Sequence, residues 1–280
     1  MTILQAIFLG IVEGLTEFLP VSSTGHLTIA AKMMGLSIDD PSVTAFTAVI
    51  QVGAIFAVVI YFWTEIVVLV RAWVRGLFNA ERRTDPDYRL AWLVLIGSLP
   101  IVVVGYLGRD IVAGPLRSLW VVAFALIIWG GVMLLAEAVA KQDRGERELN
   151  LADSLIIGFA QCLALIPGVS RSGATISVGL MRGLDRVTAT RLAFLLGIPA
   201  LLGAGAYELP SALKTGGEAG GVGWLPTLIG TIVSFVVAYA SVAWLLRYVA
   251  GHTIKIFVWY RWALAAAIII ALSTGALAAT

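Results

Sequence analysis

The sequence has little charge, a single cysteine and only two histidines. Asp, Glu, Lys and Arg make up 13% of its 280 residues, against roughly a quarter in an average soluble domain. This deficit argues against a soluble protein, and a net charge of +2 is too small to indicate nucleic-acid binding. The lone Cys162 excludes a disulfide framework and is expected to be a small core residue. No Lys or Arg precedes Lys32, so we expect the first segment to stay in the mature protein rather than be cleaved as a signal peptide.

Six apolar stretches are long enough to cross a hydrocarbon layer, which takes roughly 20 helical residues. They cover about 46–70, 90–107, 119–139, 190–209, 225–247 and 256–279. Two further stretches, 3–34 and 151–182, are each interrupted by proline, glycine and serine. Because lipid offers no partner to an unpaired backbone group, all of these segments are predicted to be helical.

The two interrupted stretches match each other at a constant offset of 148 residues. The identical positions, taken from the first stretch, are Gly10, Leu15, Val21, Ser22, Gly25, Met33, Gly35 and Leu36, which recur from Gly158 to Leu184. At the same offset, Glu13 falls on Gln161 and Ser23 falls on Arg171. The pattern indicates an internal duplication, and chance matching between two apolar segments is the alternative.

The distribution of basic residues predicts the orientation, because short loops rich in Lys and Arg remain in the cytoplasm. Loops 71–89, 140–153 and 247–255 are rich in them, whereas loops 108–118 and 210–224 have few. The first interrupted stretch then starts outside and the second starts inside. Six spans satisfy these loop assignments only if each interrupted stretch enters the membrane and returns to the same side.

We therefore predict an all-α polytopic membrane protein built as an inverted-topology repeat, with six full transmembrane helices plus two re-entrant helical hairpins. A single membrane domain covers 1–280. Half one, 1–140, contains a hairpin at about 3–36, and half two, 151–280, contains one at about 151–184; three spans follow each hairpin. Broken helices near the membrane midplane leave free helix ends, which can hold an anion of phosphate or carboxylate size.

Two carboxylates lie one helical turn apart in the first hairpin. Glu13 and Glu17 share a helix face, and two carboxylates at close range in an apolar site repel unless a cation stands between them. We predict that they bind a hard divalent cation such as Mg²⁺, which usually keeps several waters. The alternatives are side chains that reach the membrane interface, or a protonated glutamate in a helix contact.

Hydroxyl groups and a histidine follow these carboxylates. Pro20 ends the first helix, and Ser22, Ser23, Thr24 and His26 come next. Ser23 or Thr24 can cap the following helix, but capping does not account for three hydroxyls in a row beside an imidazole. A structural role for His26 alone is the other interpretation.

The second hairpin supplies a cation. Arg171 lies between Ser170 and Ser172 in a turn with Gly168 and Gly173, and its planar guanidinium matches phosphate oxygens. A structural ion pair with one of the two glutamates is the alternative. Carboxylates, hydroxyls, an imidazole and a guanidinium at one place suit phosphoryl transfer, which depends on positioning and charge stabilisation. Either Ser23 or His26 could attack, or His26 could move the proton.

The motifs Glu-x-x-x-Glu-Phe-x-Pro-x-Ser-Ser-x-Gly-His at 13–26 and Pro-Gly-x-Ser-Arg-Ser-x-x-Thr at 167–175 resemble those of the undecaprenyl-diphosphate phosphatase family, of the bacitracin-resistance type. The resemblance extends over nearly the whole chain, including 49–58 and 260–266. It implies a multi-pass enzyme of the bacterial cytoplasmic membrane that opens toward the outer face. Its substrate would be a polyprenyl diphosphate lipid, hydrolysed to regenerate the carrier for cell-wall synthesis.

The resemblance also implies roles for individual residues. Glu13 and Glu17 would be the acidic pair, with Mg²⁺ or Ca²⁺ as the cation, and Glu17 would also take part in catalysis. Ser23 and His26 would be the candidate nucleophile and acid/base, and Arg171 the phosphate ligand. Supporting groups on the substrate would be Ser22, Thr24, Ser170, Ser172 and Thr175. Membrane lipids would surround the protein, and a homodimer is one assembly compatible with this pattern.

A secondary transporter or flippase for a polyprenyl phosphate is the main competing function, because inverted repeats with broken helices are a transporter design. A carrier needs Arg171 and one carboxylate, however, and not the whole set of reactive groups. A non-catalytic lipid-binding protein is the third interpretation, and it should tolerate loss of Ser23 and His26.

Overall fold

The computed structural model describes residues 1–37, 40–113, 116, 118–216 and 222–279, with only the backbone for 109–113 and 208–216. Within these residues the fold is helical and contains no β-strand. The α-helices, in chain order, are α1 Ile3–Thr16, α2 Ser23–Met33, α3 Pro41–Tyr61, α4 Trp63–Phe78, α5 Pro86–Ala113, α6 Leu119–Val139, α7 Leu151–Leu163, α8 Arg171–Met181, α9 Arg186–Gly216, α10 Trp224–Gly251 and α11 Lys255–Ser273. Two short 3-10 helices lie at Ala80–Thr84 and Glu146–Glu148.

Six of these helices are long and apolar enough to cross a membrane. They contribute the segments Pro41–Tyr61, Pro86–Gly108, Leu119–Val139, Arg186–Tyr207, Trp224–Gly251 and Lys255–Ser273. The expected number of spans is thus confirmed, and the chain is a multi-pass helical membrane protein. The loops 108–118 and 210–224, which the distribution of charge assigns to the outside, lie partly outside the described residues.

The expected span at 46–70 is wrong in its boundaries. The helix begins at Pro41, where the Asp40 carboxylate accepts a hydrogen bond from the N–H of Ser42, and it ends at Tyr61. Phe62 leaves helical geometry, with φ −94° and ψ 14°, and α4 starts directly after it. Apolar residues predominate on both sides of Phe62, and Thr64 and Glu65 are too few to lower the hydropathy averaged over the segment, so hydropathy does not detect the helix break.

The two interrupted stretches each form a pair of short helices. The helices α1, α2, α7 and α8 have 14, 11, 13 and 11 residues, which is too short for a membrane crossing by any one of them. α1 packs against α10, and α7 packs against α5. Both contacts are close: a β-carbon at Gly10 would lie 2.5 Å from the carbonyl oxygen of Gly230, and one at Gly158 would lie 2.2 Å from that of Gly97.

The core anchors the loop that joins α1 to α2. Phe18, in that loop, is fully buried and meets the ring of Phe194 on α9 edge-on, with centroids 5.5 Å apart. Phe62 contacts the same ring, at 6.1 Å. The first turn of the polar motif is therefore fixed against α9 and the α3–α4 junction, at the centre of the largest apolar cluster.

Two buried carboxylates connect helix ends on the predicted cytoplasmic side. Asp153, at the start of α7, accepts hydrogen bonds from Arg144 and Arg182. Glu137, near the end of α6, accepts from Arg186 on α9 at 2.6 Å and from the N–H of Ile254 before α11 at 2.8 Å. Asp153 thus links the start of α7 to the end of α8, and Glu137 links α6 to α9 and to the start of α11.

Candidate active site

The loop 17–22 and the loop 164–170 meet directly. The Ser22 hydroxyl accepts a hydrogen bond from the Gly168 N–H at 3.1 Å. In the opposite direction, the Ser172 hydroxyl donates to the carbonyl of Leu19 at 3.0 Å. Because each loop satisfies polar groups of the other, the polar motifs of the two halves form a single site rather than two.

Both loops use the same unusual backbone conformation just before their second helix. Ser22 has φ 77° and Ser170 has φ 74°, values that are sparsely populated by residues with a β-carbon and occur mainly where the surrounding structure enforces them. The Ser170 hydroxyl caps α8 by accepting from the Gly173 N–H at 3.2 Å. The expectation that Ser23 or Thr24 caps α2 is wrong: its N-cap is Ser22, which makes no side-chain cap bond because its hydroxyl serves the other loop.

A fully buried arginine, Arg261 on α11, holds the two loops together. Its guanidinium donates to the carbonyl of Pro20 at 3.1 Å and to that of Gly168 at 2.7 Å. It also donates to the carbonyls of Ala125 and Leu126 on α6, each at 3.4 Å. Four carbonyl acceptors satisfy its hydrogen bonds while leaving its positive charge unneutralised, which favours an anion nearby. The sequence analysis missed this residue, although an arginine within an apolar span was a signal of a functional site.

The centre of the site is the Glu17 carboxylate, which contacts both halves of the chain. Its Oε2 accepts from the Ser23 hydroxyl at 2.7 Å, and its Oε1 accepts from Nη2 of Arg171 at 3.2 Å. Glu17 is buried and the Arg171 side chain is nearly so. Three of the predicted catalytic residues thus come together, with the arginine in the ion pair that the sequence analysis gave as the alternative to phosphate binding.

Arg171 has space because α9 carries a glycine beside it. A β-carbon at Gly197 would lie 1.4 Å from Nη1 and 2.7 Å from Cζ of Arg171, well inside contact distance. The guanidinium also lies 6.0 Å from the centre of the Phe18 ring, a favourable position for a cation. The arginine is therefore confined between α9 and the first loop, with its donors directed at Glu17.

His26 lies apart from this ion pair in its hydrogen bonding. Its Nδ1 is 2.7 Å from the carbonyl oxygen of Ser22, and its Nε2 is 2.6 Å from the hydroxyl of Tyr260 on α11. His26 contacts Ser22 through the carbonyl of that serine. Neither ring nitrogen, however, has Ser23 as its hydrogen-bond partner. Tyr260 was another residue that sequence reasoning did not assign.

Glu13 is the best candidate for a cation ligand. Its side chain is buried one turn before Glu17, and neither carboxylate oxygen has a hydrogen-bond partner among the described residues. A buried carboxylate without partners is costly unless it is neutralised, so this observation fits a bound cation. No cluster of three or more His, Cys, Asp or Glu side chains occurs in the part of the chain that the structure describes. The remaining ligands would then be phosphate oxygens and water, as Mg²⁺ prefers.

The remaining predicted substrate ligands occupy different environments. Thr24 is exposed at the start of α2. Thr175 is fully buried and donates to the carbonyl of Arg171 at 2.8 Å, which turns its hydroxyl toward its own helix. Ser170 and Ser172 lie with their hydroxyl oxygens 3.2 Å apart. Of this set, Ser22 and Ser172 join the loops, whereas Ser170 and Thr175 make hydrogen bonds within the second turn.

Comparison with known proteins identifies the family of the chain. A family described as bacitracin resistance protein BacA matches residues 6–267. A Frankia casuarinae protein named undecaprenyl-diphosphatase 3 is 53% identical over 280 residues, covering all of both chains. Undecaprenyl-diphosphatase of Cutibacterium acnes is 54% identical over 92% of this chain and 93% of its own length, and that of Mycolicibacterium gilvum is 47% identical over the full length of both. The match covers both loops and all six candidate spans, and the chain belongs to the bacitracin resistance protein BacA family.

Proposed function

We propose that this protein is an integral membrane phosphatase that hydrolyses undecaprenyl diphosphate to undecaprenyl phosphate and inorganic phosphate. The relatives that match over their full length carry that activity in their names. The observation that carries the proposal is the Glu17 carboxylate, shared between a hydroxyl nucleophile and a guanidinium from the other half of the chain. The product is the lipid carrier for cell-wall synthesis, and its recycling fits the bacitracin resistance in the family name.

In the first step of the proposed reaction, the Ser23 oxygen attacks the terminal phosphorus. The new bond from Ser23 to phosphorus replaces the anhydride bond, whose electrons stay on the bridging oxygen of departing undecaprenyl phosphate. The Ser23 proton passes to Glu17, which already accepts the hydrogen bond of this hydroxyl at 2.7 Å. Arg171 exchanges its contact with Glu17 for the phosphate oxygens and stabilises their charge.

In the second step, water replaces Ser23 on phosphorus. The serine oxygen takes back the proton from Glu17, one proton of the water is released to solvent, and inorganic phosphate leaves. The buried positive charge of Arg261 lies behind both loops and favours the dianionic head group throughout. Glu13, together with Glu17, would hold a Mg²⁺ or Ca²⁺ ion, and such an ion, when bound, neutralises part of the diphosphate charge.

The proposed architecture is an inverted repeat, with halves 1–140 and 151–280 and a re-entrant hairpin in each. Two backbone features recur at the offset of 148 residues and support it. Positive φ occurs at Ser22 and Ser170, and again at Gly35 and Gly183. The reciprocal packing of α1 on α10 and of α7 on α5 also supports it, because each hairpin then rests on a helix of the other half.

In the proposed orientation, the site opens toward the outer face of the bacterial cytoplasmic membrane. With Cys162 replaced by serine, a cysteine at the exposed Phe78 should react with an impermeant maleimide only from the cytoplasmic side. A cysteine at the exposed Trp224 should react only from outside. The reverse pattern would contradict this orientation.

The direct test of the function is phosphate release from purified protein given undecaprenyl diphosphate and Mg²⁺. We expect release that EDTA abolishes and added Mg²⁺ restores, and a Glu13→Gln variant that needs a higher Mg²⁺ concentration. Glu81→Gln, an exposed carboxylate in the 3-10 turn after α4, is the matched control and should behave as the parent. Transbilayer movement of the lipid without phosphate release would instead support the flippase.

The nucleophile can be identified by trapping the phosphorylated enzyme. After rapid quenching in neutral detergent of protein incubated with substrate labelled in the terminal phosphate, we expect label on Ser23 that survives later treatment with acid, because this hydroxyl contacts the proton acceptor Glu17. Ser23→Ala should abolish the label. Ser177→Ala, a buried hydroxyl that donates to its own helix, should retain it. Acid-labile label on His26 would refute the proposed step.

The space beside Arg171 gives a further prediction. Gly197→Ala should displace the guanidinium and lower kcat/KM by about 100-fold, the scale expected for misplacing a catalytic group by about 1 Å. Gly203→Ala on the same helix is the control, because nothing lies within 4 Å of the added β-carbon. Activity assays on both variants, with melting temperatures to verify folding, make the comparison. Equal activity in the two variants would show that Arg171 does not depend on this space.

A further inference from the structure

We propose that Tyr260 is a positioning residue for His26 that holds Nε2 of the ring, the nitrogen that the contact of Nδ1 with the Ser22 carbonyl leaves free to accept a proton. The inference rests on the proposed function and adds to it an acid–base role for His26. Tyr260 directly precedes the buried Arg261 in α11. Two consecutive residues of α11 would then act on the site, Arg261 on the loops and Tyr260 on the imidazole.

The contacts of the ring determine its tautomer. Nδ1 lies 2.7 Å from the Ser22 carbonyl oxygen, and a carbonyl can only accept, so Nδ1 carries a proton. In neutral imidazole the other nitrogen, Nε2, then holds a lone pair, and the Tyr260 hydroxyl at 2.6 Å donates to it. If the ring becomes protonated, Nε2–H donates to the same phenol oxygen instead. The partner of Nε2 is therefore Tyr260 in both protonation states.

The ring is held on two sides by different helices. The Ser22 carbonyl also accepts from the His26 backbone N–H at 3.3 Å, so it is fixed by the first turn of α2 and by the positive φ of Ser22. On the other side, the Tyr260 ring lies nearly parallel to the imidazole, at 8° with centroids 5.5 Å apart. The charged group facing this pair from α11 is Arg261, whose guanidinium is bound to carbonyls of both loops.

This arrangement divides the proton transfers between two groups. The lone pair of His26 is directed at Tyr260, while the Ser23 hydroxyl is hydrogen-bonded to Glu17. His26 is thus not the base that receives the Ser23 proton. Tyr260 is only half-buried, so the Tyr260–His26 pair connects the protein surface with the first turn of α2. The pair therefore holds a basic nitrogen available to the second step of the reaction, in which the attacking water releases a proton.

The chain contains only two histidines, which makes the tautomer directly measurable. His252 is exposed beside Tyr248, at the end of α10, so a His252→Gln protein retains His26 as its single histidine. With ¹⁵N-labelled histidine, we expect one protonated Nδ1 resonance and one Nε2 resonance shifted by a hydrogen bond. Tyr260→Phe in the same background keeps the aromatic ring, removes the donor to Nε2, and should shift the Nε2 resonance.

Kinetics give the second readout. Tyr260→Phe should lower kcat about tenfold, the scale of one lost hydrogen bond, and leave KM unchanged because Tyr260 does not bind the phosphate. Tyr239→Phe is the control, since the Tyr239 ring packs on Tyr61 and the ring that packs on His26 is Tyr260, and it should retain full kcat and the parent spectrum. An unchanged Nε2 resonance with unchanged kcat in Tyr260→Phe would overturn the inference, as would a rise in KM alone.

The spectroscopic measurement needs no substrate, so the two proposals can fail separately. A protein that shows the expected resonances but releases no phosphate would refute the phosphatase function while supporting the tautomer assignment. A protein that hydrolyses the lipid but shows the opposite tautomer, with Nε2 protonated, would refute the role of Tyr260 alone.

Discussion

A carboxylate buried in an apolar interior needs partners, and the partners of Glu17 come from both halves of the chain. Transfer of an isolated charge out of water costs several kcal/mol even after relaxation. Glu17 offsets this cost by accepting from Ser23 and pairing with Arg171. The pair is a poor source of net stability, since buried ion pairs roughly balance their own desolvation. Its value is that Glu17 holds Arg171 and Ser23 close together. A bound phosphate can then take the place of Glu17 as the partner of Arg171.

The rest of the site keeps the two loops from separating. Arg261 donates to the carbonyls of Pro20 and Gly168, and the Ser22 and Ser172 hydroxyls each reach across to the other loop. None of these groups need contact the reacting phosphorus. They fix the geometry of the loops, and Arg261, whose hydrogen bonds go to carbonyls and not to a carboxylate, adds a positive charge in a medium of low dielectric constant. Phe18, packed edge-on against Phe194, connects the same loop to the apolar core.

The features of the fold and of the site that depend on composition or on a local pattern could be predicted from the sequence. The number of spans follows from apolar runs, and Glu17, Ser23 and Arg171 stand out because reactive groups are rare in lipid-embedded segments. Helix boundaries were harder to predict: α3 ends at Tyr61 in a mainly apolar segment, 54–75, that contains no proline or glycine to mark the break. The N-cap of α2 was wrong because the Ser22 hydroxyl bonds to Gly168, a contact between loops far apart in the chain. Tyr260 and Gly197 act through space on residues of other segments, so no local pattern identifies them.

The central claim is that Glu17 and Arg171 function as one unit across the two loops, and a double-mutant cycle tests it most directly. Glu17→Gln, Arg171→Gln and the double variant should be compared by kcat/KM for phosphate release, with folding verified for each. Because removing either residue disables the same unit, the double variant should be little worse than the single ones, with a coupling of about 2 kcal/mol or more. Losses that add to within about 0.5 kcal/mol would mean that the two residues act independently, and would contradict the account.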